Sequence, residues 1–230
     1  MERTQCIILK LTGKLFLPEH SATLRSTIEQ LKLLAPNMSI GIVVGGGNIF
    51  RGDEQSAGRG ISSTAGHTIG MLATMMNGVL LHDMLEQAAL PSVIMSGLIC
   101  PQVGIEPTHD AFKEAFAAGK VIIFAGGTGL PFVTTDTNAL IRALQVDAYE
   151  VWKATSVDGI YTADPKIDST ATKLAVVSYQ TAREQHLEFI DPVACTLAER
   201  HTIPVRVFSI FEDQALISLA QNKPVGSLLT

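Results

Sequence analysis

Short, nearly unbroken runs of apolar residues alternate along the chain with segments whose apolar positions recur every three or four residues. The runs are CIILKL (6–11), SIGIVVG (39–45), SVIMS (92–96), KVIIFAG (120–126), AYEVWK (148–153) and PVRVFSI (204–210). Their length and composition predict strands, and their lack of polar alternation predicts strands covered on both faces. Between them, residues 21–34 are predicted to form a helix with Ser21 as its cap. Ile69, Leu72, Met76, Leu80 and Met84 repeat at helical spacing within a predicted helix over 66–88. Residues 110–118, 135–144, 191–201 and 213–222 complete the helical set.

Strands alternating with helices predict a three-layer α/β/α sandwich around a central, mostly parallel sheet. No repeat, low-complexity tract or Pro/Gly/Ser linker divides the 230 residues, so one domain over 1–230 is expected. Hydrophobic residues make up 47% and charged residues 17%, enough apolar material for a sizeable core. The net charge of −5 argues against a nucleic-acid partner, which calls for a basic surface. No segment approaches the roughly 20 apolar residues of a membrane span, and the run before Lys10 is too short for a signal peptide. Cys6, Cys100 and Cys195 are odd in number and widely spaced, which suits reduced thiols in the cytoplasm.

Ligands of such sheets bind beyond the carboxyl ends of the strands, so the loops there carry the candidate chemistry. The second strand runs into GGGNIFRG (45–52), where a bare backbone can approach a phosphate and Arg51 can add a charge-assisted contact. Neither GxxxxGK[ST] nor GxGxxG occurs, so the P-loop and dinucleotide-fold readings lose most of their support. The first strand ends in KLTG (10–13), which can place an ammonium beside backbone donors, although a solvated lysine is the commoner case. GGTGLPFVTTD (126–136) combines glycines, hydroxyls and an apparent helix N-terminus that favours an anion. Asp136, in that first turn, serves either as an ordinary helix-start acid or to orient a lysine or hold a metal ion. In KATSVDGIYTADP (153–165), Tyr161 could stack on an adenine and Asp164 could accept from base or ribose; read alone, the string is a decorated hairpin.

Taken in order, these loops with GMLATMMNG (70–78), DPVACTLAERHTIPVRVF (191–208) and GSLLT (226–230) resemble the bacterial UMP kinases of the amino acid kinase family. The resemblance spans essentially the whole chain. It implies an eight-stranded, mostly parallel sheet, a homohexamer, and ATP and UMP as substrates with Mg²⁺ accompanying the ATP. Lys10, Leu11, Thr12 and Gly13 would then meet the ATP phosphates, and Gly47 with Arg51 the transferring phosphoryl group. Thr155, Tyr161 and Asp164 would hold the adenosine end. Gly46 and the stretch Thr128, Gly129, Leu130, Pro131, Phe132, Val133, Thr134 and Thr135 would line the UMP site. Lys10, Arg51 and Asp136 would be the catalytic residues, with no protein-bound metal.

The chain departs from that family pattern at several positions. His67 replaces an aspartate that accepts from the UMP ribose, and Leu130 replaces an asparagine of the acceptor loop. Lys14 stands where a glutamate is common. His82, Glu86 and Gln87 replace basic residues that many relatives use for GTP, so conventional GTP activation is not expected. The alternatives are a nucleotide-binding storage or regulatory protein on the same fold, with His67, His82 and His109 as candidate ligands, and a kinase for another small acidic acceptor.

Overall fold

In chain order the elements are β1 (Gln5–Leu11), α1 (Ser21–Leu34), β2 (Met38–Val44), α2 (Gly52–Arg59), α3 (Ser63–Gln87), β3 (Ser92–Ser96), α4 (His109–Ala117), β4 (Val121–Ala125) and α5 (Thr135–Gln145). They continue with β5 (Glu150–Thr155), β6 (Ile160–Tyr161), β7 (Lys173–Leu174), β8 (Val176–Val177), α6 (Tyr179–Glu184), α7 (Pro192–His201), β9 (Val205–Ser209), α8 (Ala215–Ala220) and β10 (Ser227–Leu229). The computed structural model describes residues 5–165, 167–187 and 189–230. Residues 1–4, the head of the segment weighed as a leader, lie outside that set.

One eight-stranded sheet runs in the order β3-β4-β2-β1-β5-β9-β10-β8. Every pairing in it is parallel except β10 with β9. The central strand β1 shows why it must be covered on both faces: Ile7, Ile8, Leu9 and Leu11 are fully buried. Their side chains alternate between two cores. Ile7, Leu9 and Leu11 join Leu24 and Ile28 of α1, Leu81 and Leu85 of α3, and Leu216 of α8. Ile8 joins Phe112 of α4, Leu140 of α5 and Ala194 of α7 on the opposite face. Full burial of each such side chain contributes roughly 1.5–3 kcal/mol.

The alternation decides where the charges go. Lys10 shares its parity with Ile8, which directs it to the face covered by α5 and α7 rather than to that of α1. The register sets Lys10 directly beside Lys153 of β5, near the carboxyl ends of both strands.

Some expectations are corrected. Ser21 is the first helical residue of α1 and not its cap; His20 holds the cap position without a side-chain hydrogen bond. The helix α2 was not expected, because GDEQSAGR has no apolar periodicity. It packs on α3 through a close approach of Gly66 to Gly52 and Ser56. The last helix, α8, is shorter than 213–222, because Gln214 takes a left-handed backbone conformation at its start. All three cysteines are free.

Candidate active site

Asp136 lies in the first turn of α5, and Thr134 caps that helix by accepting from the Thr137 amide at 3.1 Å. Its carboxylate meets both strand lysines: Lys10 Nζ stands 3.0 Å from Oδ1, and Lys153 Nζ donates to Oδ2. The three side chains are largely buried, at 15%, 10% and 14% exposure for Lys10, Lys153 and Asp136. Burial by itself would raise the Asp136 carboxyl, but the Lys10 and Lys153 ammoniums outweigh it and hold the group well below the usual carboxylate range. Burial pushes the Lys153 ammonium down, with Asp136 opposing that shift and Lys10 adding to it. Two cations on one carboxylate leave a net positive charge at the strand ends, suited to a polyanion.

Above this triad lies a cleft of about 330 Å³, walled by Lys10, Gly13, Gly46, Gly47, Arg51 and Thr135. The glycine loop enters it directly from β2, where the Gly45 amide donates to the Leu11 carbonyl at 3.0 Å. Gly13 and Gly46 are required by close approach. A Cβ on Gly13 would lie 2.8 Å from the Gly47 nitrogen, and one on Gly46 would lie 2.8 Å from the Gly70 carbonyl oxygen. Arg51, at the head of α2, donates from Nε to the Gly47 carbonyl at 3.4 Å. The amino-terminal end of α5 opens into the same cleft through Thr135, adding the positive end of a helix dipole.

Two larger cavities flank the cleft. One, of about 420 Å³, shares Lys10 with it and is lined by Lys153, Thr155, Tyr161 and Asp164. Tyr161 is held there by donating to Asp158 Oδ1 at 2.8 Å, and Asp158 also pairs with Lys173. The other, of about 370 Å³, shares Gly46, Gly47, Arg51 and Thr135 with the cleft. It is closed by His67 and Phe132, whose rings meet at a centroid distance of 4.6 Å and an angle of 60°. Phe132 reaches this position from a left-handed backbone conformation, with φ of 64°, and stays 65% exposed. The three spaces adjoin through shared lining residues, Lys10 on one side and Gly46, Gly47, Arg51 and Thr135 on the other, while Asp136 and Lys153 also line a further cavity of about 730 Å³ beside Asp191.

Most of the residues singled out from the sequence converge here, but half of the stretch 128–135 does not. Leu11 is an exception in kind: its side chain is fully buried in the core, so only its backbone serves the loop. Phe132, Val133, Thr134 and Thr135 line the cavity on the His67 side, whereas Thr128, Gly129, Leu130 and Pro131 are not among its lining residues. Leu130 points outward at 64% exposure. Lys14 is not part of the cleft lining. His82 and Glu86 both bond Ser92 at the start of β3, and Gln87 donates to Asp83. Among the described residues no group of three or more His, Cys, Asp or Glu side chains is placed to hold a metal ion.

Lys153 and Asp191 were missed. Lys153 carries a signal, a lone cation inside an apolar strand, but only register shows that it faces Lys10. Asp191 caps α7 through the Val193 and Ala194 amides at 3.0 and 2.9 Å and accepts from the hydroxyls of Thr134 and Thr137, tying the starts of α5 and α7 together.

Glycine loops and ammonium groups converging at the carboxyl ends of parallel strands define a phosphate-binding α/β protein. Comparison with known proteins narrows that class. The pattern described as "Amino acid kinase family" matches residues 5–209. A uridylate kinase of Hydrogenovibrio crunogenus is 40% identical over 229 residues, covering 97% of each chain. Another, from Rhodopseudomonas palustris, is 42% identical over 212 residues, covering 90% of this chain and 89% of its own. The crystal structure of a UMP kinase from Ureaplasma parvum superposes with a TM-score of 0.92 at 27% identity, covering 99% of both chains. This chain belongs to the amino acid kinase family.

Proposed function

We propose that the chain is a nucleoside monophosphate kinase that moves the γ-phosphoryl group of ATP to UMP, releasing UDP and ADP. The observation that carries the reading is the row of three adjoining spaces, with Lys10 shared by two of them and held against Asp136 together with Lys153. In this reading ATP takes the cavity of Thr155, Tyr161 and Asp164, and UMP takes that of His67 and Phe132. Their phosphates meet over the glycine loops.

The chemistry needs no protein base. A phosphate monoester with a second pKa of about 6 is mostly dianionic at neutral pH, so the attacking oxygen has already lost its proton. What remains is to align two polyanions and spread the charge of the transferring group over fixed donors. Lys10, Arg51, Lys153 and the loop amides supply those donors, and Asp136 keeps the two ammoniums at a fixed separation. The site suits a magnesium ion that arrives on the ATP phosphates, because Asp136 is the carboxylate at the centre and both its oxygens already face ammoniums. Bound with the nucleotide, such an ion would supply charge neutralisation to the phosphates beside Lys10 and Arg51.

The proposal extends to a single domain, a cytoplasmic setting and a homohexamer. Self-association is supported by an apolar stripe on α3, where Leu72, Met76, Val79 and Leu80 are 41–61% exposed. No helix among the described residues is long and apolar enough to cross a membrane. An assay of ADP release across UMP, CMP, AMP, carbamate and isopentenyl phosphate tests the acceptor. UMP is expected to give the highest kcat/KM, and a higher value for any other acceptor would overturn the assignment.

A further inference from the structure

The long helix α3 lies behind both glycine loops, and two polar side chains on its buried face hold them. Asn77, 3% exposed, donates from Nδ2 to the Gly45 carbonyl at 2.6 Å and to Asn48 Oδ1 at 2.8 Å. Asn48 Nδ2 donates back to Asn77 Oδ1 at 3.2 Å, which completes a reciprocal amide pair. Thr74, 7% exposed, donates to the Met71 carbonyl at 2.7 Å and accepts from the Gly126 amide at 2.8 Å. Spaced i and i+3, these residues lie on one helix face, about 4.5 Å apart along the axis. Asn77 therefore grips the loop that walls the phosphate cleft. Thr74 grips the start of the loop that leads to Phe132 and Thr135.

We propose that Thr74 and Asn77 are positioning residues, and that α3 uses them to set the separation of the two loops between which phosphoryl transfer takes place. Thr74 also lines the cavity of His67 and Phe132, yet neither residue needs to touch a reacting atom. The Asn77 amide is spent on Gly45 and Asn48. The Thr74 proton is directed at Met71, and one of its lone pairs at Gly126. Their effect comes through geometry, where a displacement of about 1 Å can cost about a hundredfold in rate. The kinetic consequence rests on the UMP kinase reading; the mechanical one does not.

The test uses the full-length protein with Thr74→Val, Thr74→Ser, Asn77→Leu and, as a control for plain destabilisation, Leu81→Ala in the same helix. Amide hydrogen exchange on the unliganded protein reads the mechanical half. Thr74→Val should speed exchange across 126–133 by about tenfold or more and leave 45–51 unchanged, and Asn77→Leu should do the reverse. Steady-state kinetics read the other half. Thr74→Val should raise the acceptor KM by about tenfold with the ATP KM unchanged, and Thr74→Ser should restore it. Asn77→Leu should lower kcat by about a hundredfold with smaller changes in either KM. If both variants behave like Leu81→Ala, with uniform loss of melting temperature and no loop-selective exchange, the proposal is overturned. Loop-selective exchange in a wild-type protein that turns over no UMP would uphold the positioning role and sink the kinase reading instead.

Discussion

Lys10 and Lys153 are register partners on adjacent parallel strands, and both ammonium groups close on the single carboxylate of Asp136. Two like charges side by side in a sheet repel, and here the counter-charge comes from the first turn of a helix that starts beyond the strand ends. Asp136 is therefore a structural counter-ion and, in the kinase reading proposed above, a reaction-centre residue, and the two roles can be separated by mutation.

Asp136→Asn leaves two buried ammoniums facing each other. It should destabilise the protein by about 3–5 kcal/mol and lower kcat by about 10²–10³-fold. Adding Lys153→Met removes the repulsion. The double variant should recover much of the stability in denaturant melts, with a turnover well below that of Lys153→Met alone. A double variant as active as Lys153→Met would make Asp136 a structural residue only.

The pH dependence of turnover should follow the substrate rather than Asp136. Because the native carboxyl is held below its ordinary 3.8, its stabilisation is complete above that value and lost only as pH falls through the depressed one. Asp136 thus stays ionised across about pH 5 to 8, where the acceptor phosphate titrates near about 6. The kcat/KM for UMP should fall about tenfold per unit below that point. With a uridine phosphorothioate, whose second ionisation is lower, the acid limb should shift to lower pH. A limb that does not move would place the ionisation on the protein.

Phe132 holds a left-handed conformation that costs a non-glycine residue roughly 1–2 kcal/mol. Phe132→Gly should relieve much of that strain and raise Tm by about 2–4 °C per kcal/mol gained in a chain of this size. It also removes the ring that stands against His67, so the UMP KM should rise about three- to tenfold while the ATP KM holds. Such a trade of stability for function is expected where backbone strain serves a site. A variant with lower Tm and unchanged KM would contradict this role.

Gly46→Ala would press a methyl group within 3.0 Å of the backbone nitrogen of Thr74 and 2.8 Å of the Gly70 carbonyl oxygen. The loop must shift, at an expected cost of about 1–3 kcal/mol in stability and about a hundredfold in kcat. Gly58→Ala, a helical position with nothing within 4 Å, should be neutral or slightly stabilising. Equal behaviour of the two variants in kinetics and melts would remove the argument from close approach.

The strands of the sheet core were legible because burial on both faces leaves an unmistakable apolar run; SVIMS matches β3 residue for residue. The helix α3 was legible from its apolar spacing, although it starts at Ser63, three residues before the expected Gly66, where Ser62 caps it by accepting from the Ala65 amide. The helix α2 was not legible, because its fit depends on a glycine contact with α3 that no local pattern encodes. Two-residue strands such as β6 and β7 exist only through their partners. Within the site, Lys10, Arg51, Asp136 and the glycine loops stood out by residue type and place. Lys153, Asp191, Asn77 and Thr74 did not, since each acts through a partner distant in sequence that only the fold brings within reach.

The most direct measurement follows the phosphoryl group itself. With ATP labelled on its γ-phosphate, the protein should convert UMP to labelled UDP at a turnover typical of kinases, about 1–100 s⁻¹. Labelled inorganic phosphate alone, or tight ATP binding with no labelled UDP, would contradict the assignment.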